Sequence, residues 1–153
     1  MKLAIGCDEA AYDLKETIRT YLVELGHEVK DFGVFNKEPV LYPDIAYLVA
    51  TDVAENNSDR GILICGTGIG MAITANKVPS IRAAVCHDLY STERSILSND
   101  CQIMTMGARV IGEETAKAMV RTWLGLTFVS GSSTPKVQRI MSIENQFTKH
   151  PGH

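Results

Sequence analysis

The sequence predicts a single three-layer α/β/α domain built on a five-stranded parallel sheet, and three observations lead there. Five short β-rich runs alternate with helical stretches, and the links between them are short. One run, Gly61-Ile62-Leu63-Ile64-Cys65, is apolar on both faces, as a strand covered by helices on each side must be. The length of 153 residues, with 45% hydrophobic and 22% charged, suits one domain with a sizeable core. No internal repeat or linker divides it.

The first strand reads as Leu3 to Cys7. Ala10 to Leu25 follows as a helix, with Leu14, Ile18, Leu22 and Leu25 on one face and Gly26 as a stop. Glu28 to Phe32 is the second strand. After a loop around Pro39, Tyr42-Pro43-Asp44 opens a helix to about Glu55; proline suits a first turn, where its missing N–H costs little. Strand three, Gly61 to Cys65, turns through Gly66 to Gly70 into a helix, Met71 to Lys77. Ile81 to Cys86, a helix from about Tyr90 to Leu97, and Cys101 to Met106 repeat the scheme. Glu113 to Leu126 is an amphipathic helix, and a polar Ser130 to Pro135 loop leads to a last helix, about Lys136 to Phe147. The domain therefore covers residues 1–147, doubly wound and Rossmann-like. Residues 148–153 read as a mobile tail whose two histidines need no function.

A net charge of −3 and a pI near 5.8 predict no general attraction for nucleic acid or an anionic membrane. A bound phosphate would need a local cluster. No apolar run approaches the roughly 20 residues of a membrane span. The start is too short in its apolar part for a signal peptide, so the expected compartment is the cytoplasm. Cys7, Cys65, Cys86 and Cys101 show no Cys-x-x-Cys spacing and fall at or near strand ends, which suits buried thiols better than disulfides or zinc. No metal or cofactor is expected.

In doubly wound sheets, ligands sit beyond the carboxyl ends of the strands. Four segments fall there: Cys7-Asp8-Glu9, Cys65-Gly66-Thr67-Gly68, Cys86-His87-Asp88 and Met106-Gly107-Ala108-Arg109. In Cys65-Gly66-Thr67-Gly68-Ile69-Gly70 the alternating glycines let backbone N–H groups approach an anion, and the following helix adds partial positive charge. The spacing fits neither the dinucleotide fingerprint nor the P-loop. A tight strand-helix connection explains the glycines equally well. Cys65 itself is either a small residue finishing a strand or a thiolate favoured by the helix amino end. As a thiolate it could take a proton from a carbon beside a carbonyl, while Thr67 and nearby N–H groups held the negative oxygen that forms.

Here the chain resembles the ribose-5-phosphate isomerase B and galactose-6-phosphate isomerase family, from Lys2 to about Phe147. The marks are Gly6-Cys7-Asp8, Tyr42-Pro43-Asp44, Ile64 to Gly70, Ala75-Asn76-Lys77, Ile81-Arg82-Ala83-Ala84, Ser98-Asn99-Asp100 and Gly107 to Gly112. The resemblance implies a metal-free enediolate mechanism in a homodimer, or a dimer of dimers, with shared active sites. By position it makes Cys65 the proton-transferring base, gives the oxyanion to Thr67 with the amides that follow it, and puts Gly66, Gly68 and Gly70 among the substrate-binding positions. Asp8 contacts substrate hydroxyls and Tyr42 lines the pocket. Asn99 and Arg109 reach in from the partner, with Arg109 on the phosphate. Each has a plainer reading: Asp8 as a helix cap, Tyr42 packed beside Pro43, Asn99 as a helix terminator, Arg109 in a surface ion pair.

The departures concern one end of the substrate. Glu9 and Ser98 stand where the pentose enzymes usually have histidines, and Ser132 and Lys136 where they have arginines. Two like charges about 4 Å apart repel by roughly 1–4 kcal/mol, so Glu9 beside a phosphate must be turned away or paired with Lys136 or Arg139, or the phosphate sits differently. Losing an imidazole at Ser98 suggests a substrate that needs little ring opening. A four-carbon sugar 4-phosphate cannot close a furanose ring, and the segment His87 to Arg94 with Leu97-Ser98-Asn99 and Met104 to Arg109 is similar to the erythrulose-4-phosphate isomerase branch. A tetrose 4-phosphate is therefore expected ahead of ribose 5-phosphate. His87 reads as a helix-opening residue paired with Asp88, or as acid-base help in place of Ser98. His27 reads as structural. The competing functions are a catalytically silent sugar-phosphate sensor on the same scaffold and a flavin-binding domain of similar topology.

Overall fold

The structure, a computed structural model describing residues 1–148, alternates strands and helices as anticipated. In chain order the elements are β1 (Lys2–Cys7), a 3-10 turn (Glu9–Ala11), α1 (Tyr12–Glu24), β2 (Glu28–Asp31), α2 (Tyr42–Ala54) and β3 (Arg60–Cys65). Then come α3 (Ile69–Ala75), β4 (Ala83–Val85), α4 (Leu89–Leu97), β5 (Ile103–Gly107), α5 (Glu113–Leu124) and α6 (Thr134–Thr148). The tail from Lys149 onward lies outside the described residues; Thr148 itself belongs to α6.

The five strands pair in the order β2-β1-β3-β5-β4, every pair parallel. The order reverses between β1 and β3, so the crevice at their carboxyl ends lies between Cys7-Asp8 and Cys65. Alternation along each strand sorts the core into two layers. Leu3, Ile5, Ile62, Ile64, Met104 and Met106 face α1, α4 and α5, where Ile18, Leu22, Ile96, Val120 and Trp123 bury their apolar stripes. Ala4, Leu63, Cys65 and Ile103 face α2 and α3, against Val49, Val53, Met71 and Ala75. Burying such side chains stabilises by about 1.5–3 kcal/mol each.

One buried position was not foreseen. Lys15 is fully enclosed on α1, where its ammonium reaches Asp31 at 2.8 Å and Glu16 at 2.9 Å. Asp31 Oδ1 in turn accepts the Gly33 N–H at 2.8 Å, tying the β2 end to the loop that leads to α2.

Three boundaries depart from the sequence reading for local reasons. Asp8 accepts the Ala10 and Ala11 N–H groups, at 3.1 and 3.2 Å, and opens a 3-10 turn before α1 begins. β4 is only Ala83–Val85 because side chains take its flanking backbone: Gln102 Oε1 accepts the Arg82 N–H and Asn76 bonds both the N–H and C=O of Ala83. α3 starts at Ile69, directly after the glycine turn. The last helix stands apart from the core. Only Val137 of α6 is buried, while Met141 and Glu144 meet Arg82 and Ser80 just before β4.

Candidate active site

The turn from β3 to α3 is built around one left-handed residue. Gly68 has φ +78, and a Cβ there would lie 2.9 Å from the Met106 backbone, so no other residue fits without strain. This conformation aims the Gly68 N–H at Cys65 Sγ, 3.1 Å away. An N–H directed at sulfur is complementary to negative charge there. The Gly68 carbonyl accepts the Thr105 hydroxyl at 2.8 Å and the Ala72 N–H at 3.1 Å. The turn after β5 clamps the same loop: Ala108 N–H donates to the Cys65 carbonyl at 2.8 Å and Arg109 N–H to the Gly66 carbonyl at 3.1 Å. Thr67 is exposed at the tip, its hydroxyl accepting the Ile69 N–H at 3.3 Å.

Cys65 lies just below the surface of a single protomer, 5% exposed. Cys7 and Cys101 are also buried thiols, and loss of hydration pushes both up to about 12; Cys86 is raised by the same cause.

Three side chains close around the loop. Arg109 folds over Gly66 of its own chain, its Nη1 3.2 Å from where a Cβ would stand. The two-residue link from Gly107 leaves the guanidinium beside its own β3 turn. Tyr42, at the start of α2, lays its ring on Gly70, where a Cβ would lie 2.2 Å from the hydroxyl. Asp8 caps its turn with Oδ1, and among the described residues Oδ2 has no partner of its own. Burial raises the Asp8 carboxyl above its usual range; neighbouring Glu9 raises it further, and backbone N–H groups and Arg109 act in the opposite direction.

Glu9 is paired with neither Lys136 nor Arg139. Its carboxylate accepts the Val40 N–H at 3.3 Å, held by the loop before α2. Lys136 is exposed on α6. Asn99 follows α4 on the side of the sheet's amino ends, where its carbonyl accepts Arg82 Nε at 3.0 Å. It borders a cavity of about 460 Å³ with Asn76, Arg82, Arg94 and Ile140. The structure thus gathers Asp8, Glu9, Tyr42, Cys65, Thr67, Gly66, Gly68, Gly70 and Arg109 within one protomer, leaves Asn99 at the opposite edge, and holds Lys136 exposed on α6. Ser98 accepts Arg94 Nε at 2.7 Å. Among the described residues, no group of three His, Cys, Asp or Glu side chains is arranged to hold a metal.

Thr105 went unnoticed in the sequence, although a hydroxyl inside the buried run Ile103 to Met106 was a signal. His87 does not pair with Asp88: Asp88 caps α4 through the Ser91 N–H at 2.7 Å, and His87 Nε2 accepts the Gly107 N–H at 2.8 Å.

A family profile described as Ribose/Galactose Isomerase matches residues 3–140. The chain belongs to the ribose/galactose isomerase family. A relative in Listeria innocua named ribose-5-P isomerase B is 56% identical over 95% of this chain and 99% of its own length. One in Pectobacterium atrosepticum named D-erythrulose-4-phosphate isomerase is 49% identical over 95% of this chain and 97% of its own. The solved structure of Clostridium thermocellum ribose-5-phosphate isomerase B superposes with a TM-score of 0.94 at 45% identity, covering 96% of this chain and 99% of that one. Membership makes this chain an isomerase and leaves the sensor and flavin readings without support.

Proposed function

We propose that this isomerase interconverts an aldose and a ketose sugar phosphate, with Cys65 moving a proton between adjacent carbons through an enediolate. The observation that carries the proposal is the Gly68 N–H on Cys65 Sγ, at a strand end flanked by Asp8, Tyr42 and Arg109. The thiolate takes the proton from the carbon beside the carbonyl. The exposed Thr67 hydroxyl and the amides of the loop stabilise the charge that develops on oxygen. Asp8 Oδ2 and the Tyr42 hydroxyl hold substrate hydroxyls, and the Arg109 guanidinium takes the phosphate, a role its planar fork suits.

The working unit is a homodimer, or a dimer of such dimers, in the cytoplasm. Asn99 follows α4, at the end of the sheet opposite its own Cys65, so a site that includes it needs a second copy. The same arrangement accounts for the apolar residues a lone protomer leaves exposed, Leu48, Ile69 and Ile73 on α2 and α3 and Ile140, Ile143 and Phe147 on α6. Sedimentation should give a dimer or larger; a fully active monomer contradicts it.

A tetrose 4-phosphate is the preferred substrate. The names of the relatives divide between pentose and tetrose phosphates, so the preference rests on Ser98. Its hydroxyl is engaged by Arg94, and no imidazole stands there to open a furanose ring. The test compares kcat/KM on erythrulose 4-phosphate and ribulose 5-phosphate. At least tenfold preference for the tetrose is expected, and preference for the pentose rejects it.

A further inference from the structure

β5 is the bed on which the Cys65 loop lies, through Thr105, Ala108 and Arg109. Its own last ladder bond is unusual. The register runs Ala84↔Met104 and Val85↔Thr105, and Cys86 N–H still donates to the Thr105 carbonyl at 2.9 Å. Continuing it would offer the Gly107 N–H a carbonyl from the end of β4. The chain instead leaves the sheet at His87, whose Nε2 accepts that N–H at 2.8 Å. A backbone donor can be accepted only by an unprotonated nitrogen, so the ring is neutral with its proton on Nδ1. Gly107 itself has no room to shift. A Cβ there would lie 2.6 Å from both the Gly66 carbonyl oxygen and Thr67 Cα, so its backbone is in close contact with the catalytic loop.

We propose that His87 is a positioning residue for the isomerase reaction: in its neutral form it replaces the missing β4 carbonyl, holds the β5 turn against the Cys65–Gly68 loop, and releases that turn when protonated. The inference rests on the proposed role of Cys65. Half-buried, the ring borders a cavity of about 410 Å³ shared with Asp88, Leu89, Glu114 and Thr115, a path for protons to Nδ1. The charged groups around it are Asp88 on its own segment, Glu114 with its partner Lys117 on α5, and Arg109 beyond Gly107; the Cys86 thiol beside it is neutral. Burial lowers the imidazole below its ordinary 6.5, and Asp88 opposes that in part. A folded value below the unfolded one means that His87 contributes its full stability above pH 6.5 and loses it as pH falls through that window.

The test has a spectroscopic arm and a kinetic arm. In 15N-labelled wild type, the Gly107 amide resonance should titrate with the imidazole, midpoint below 6.5, and in His87→Gln it should not. Glutamine carries an acceptor near the Nε2 position that does not titrate. His87→Ala should lower kcat about 5- to 10-fold at pH 7.5 with KM little changed, the size of one lost hydrogen bond, and His87→Gln should restore it to within about twofold. On the acid side, wild-type kcat/KM should fall more steeply with decreasing pH than that of His87→Gln, by the slope of one additional proton. A Gly107 amide indifferent to pH in wild type, or His87→Ala with wild-type kcat across the range, overturns the proposal. The amide arm needs no substrate: loss of the Cys65 role would leave the Gly107 titration in place, and failure of the titration would leave Cys65 untouched.

Discussion

Replacing Gly70 by alanine tests whether the contact between Tyr42 and the amino end of α3 sets up the site. The new Cβ would stand 2.2 Å from the Tyr42 hydroxyl, 2.4 Å from Cζ and 2.5 Å from Cε2. Ordinary contact begins at 3.4 Å, so the ring must retreat by about 1 Å. Overpacking in a closed core costs about 1–3 kcal/mol. Here Tyr42 is 37% exposed and its ring can swing outward, so the fold should lose less than about 1 kcal/mol. The site bears the rest: a displacement of about 1 Å in a positioning group can reduce turnover by as much as about 100-fold. The expected result is a urea midpoint near wild type with kcat/KM down about 10- to 100-fold. Tyr42→Phe in the Gly70→Ala background removes only the hydroxyl clash and should not rescue, because Cζ and Cε2 remain too close. Wild-type kcat/KM in Gly70→Ala would refute the reasoning that Tyr42 must lie on this helix.

Two further predictions concern the scaffold. Thr105→Val keeps the shape of the side chain and deletes the hydroxyl bond to the Gly68 carbonyl, which still has the Ala72 N–H. The loss should be about 0.5–1.5 kcal/mol in urea unfolding, accompanied by lower kcat; no change in either would mean that the hydroxyl does not hold the loop. Glu16 is held at about 2, below its ordinary 4.5, by its hydrogen bonds to Arg19 and Lys15. A depressed carboxyl contributes stability above pH 4.5 that is lost as pH falls toward 2. Glu16→Gln should therefore flatten the acid limb of the stability profile, and an unchanged limb would exclude this group as its source.

The fold was legible because strand-helix alternation and the two-sided burial of Gly61 to Cys65 are properties of the chain itself. The glycine turn was legible for the same reason, since both a left-handed φ at Gly68 and close packing at Gly70 demand the residue. β4 was read too long because its edge is closed by side chains distant in sequence, Asn76 and Gln102, which no local pattern announces. The position of Arg109 over its own Gly66 depends on the tight turn after Gly107, which the sequence pattern does not announce. Glu9 finds the Val40 N–H rather than a cation, a contact created only by the loop's path. The burial of Lys15 depends on the fold bringing Asp31 beside it, and no local pattern announces that pair. His87 shows the limit most clearly: its acceptor role depends on the point where β4 leaves the sheet.

The central claim is that Cys65 carries the proton. In deuterated water, wild-type enzyme with its preferred sugar phosphate should wash deuterium into the carbon beside the carbonyl. Cys65→Ala should keep the fold and the affinity for substrate while losing that exchange by at least about 1,000-fold, the scale of removing a group that acts as general base. Deuterium incorporation by Cys65→Ala at the wild-type rate would contradict the account.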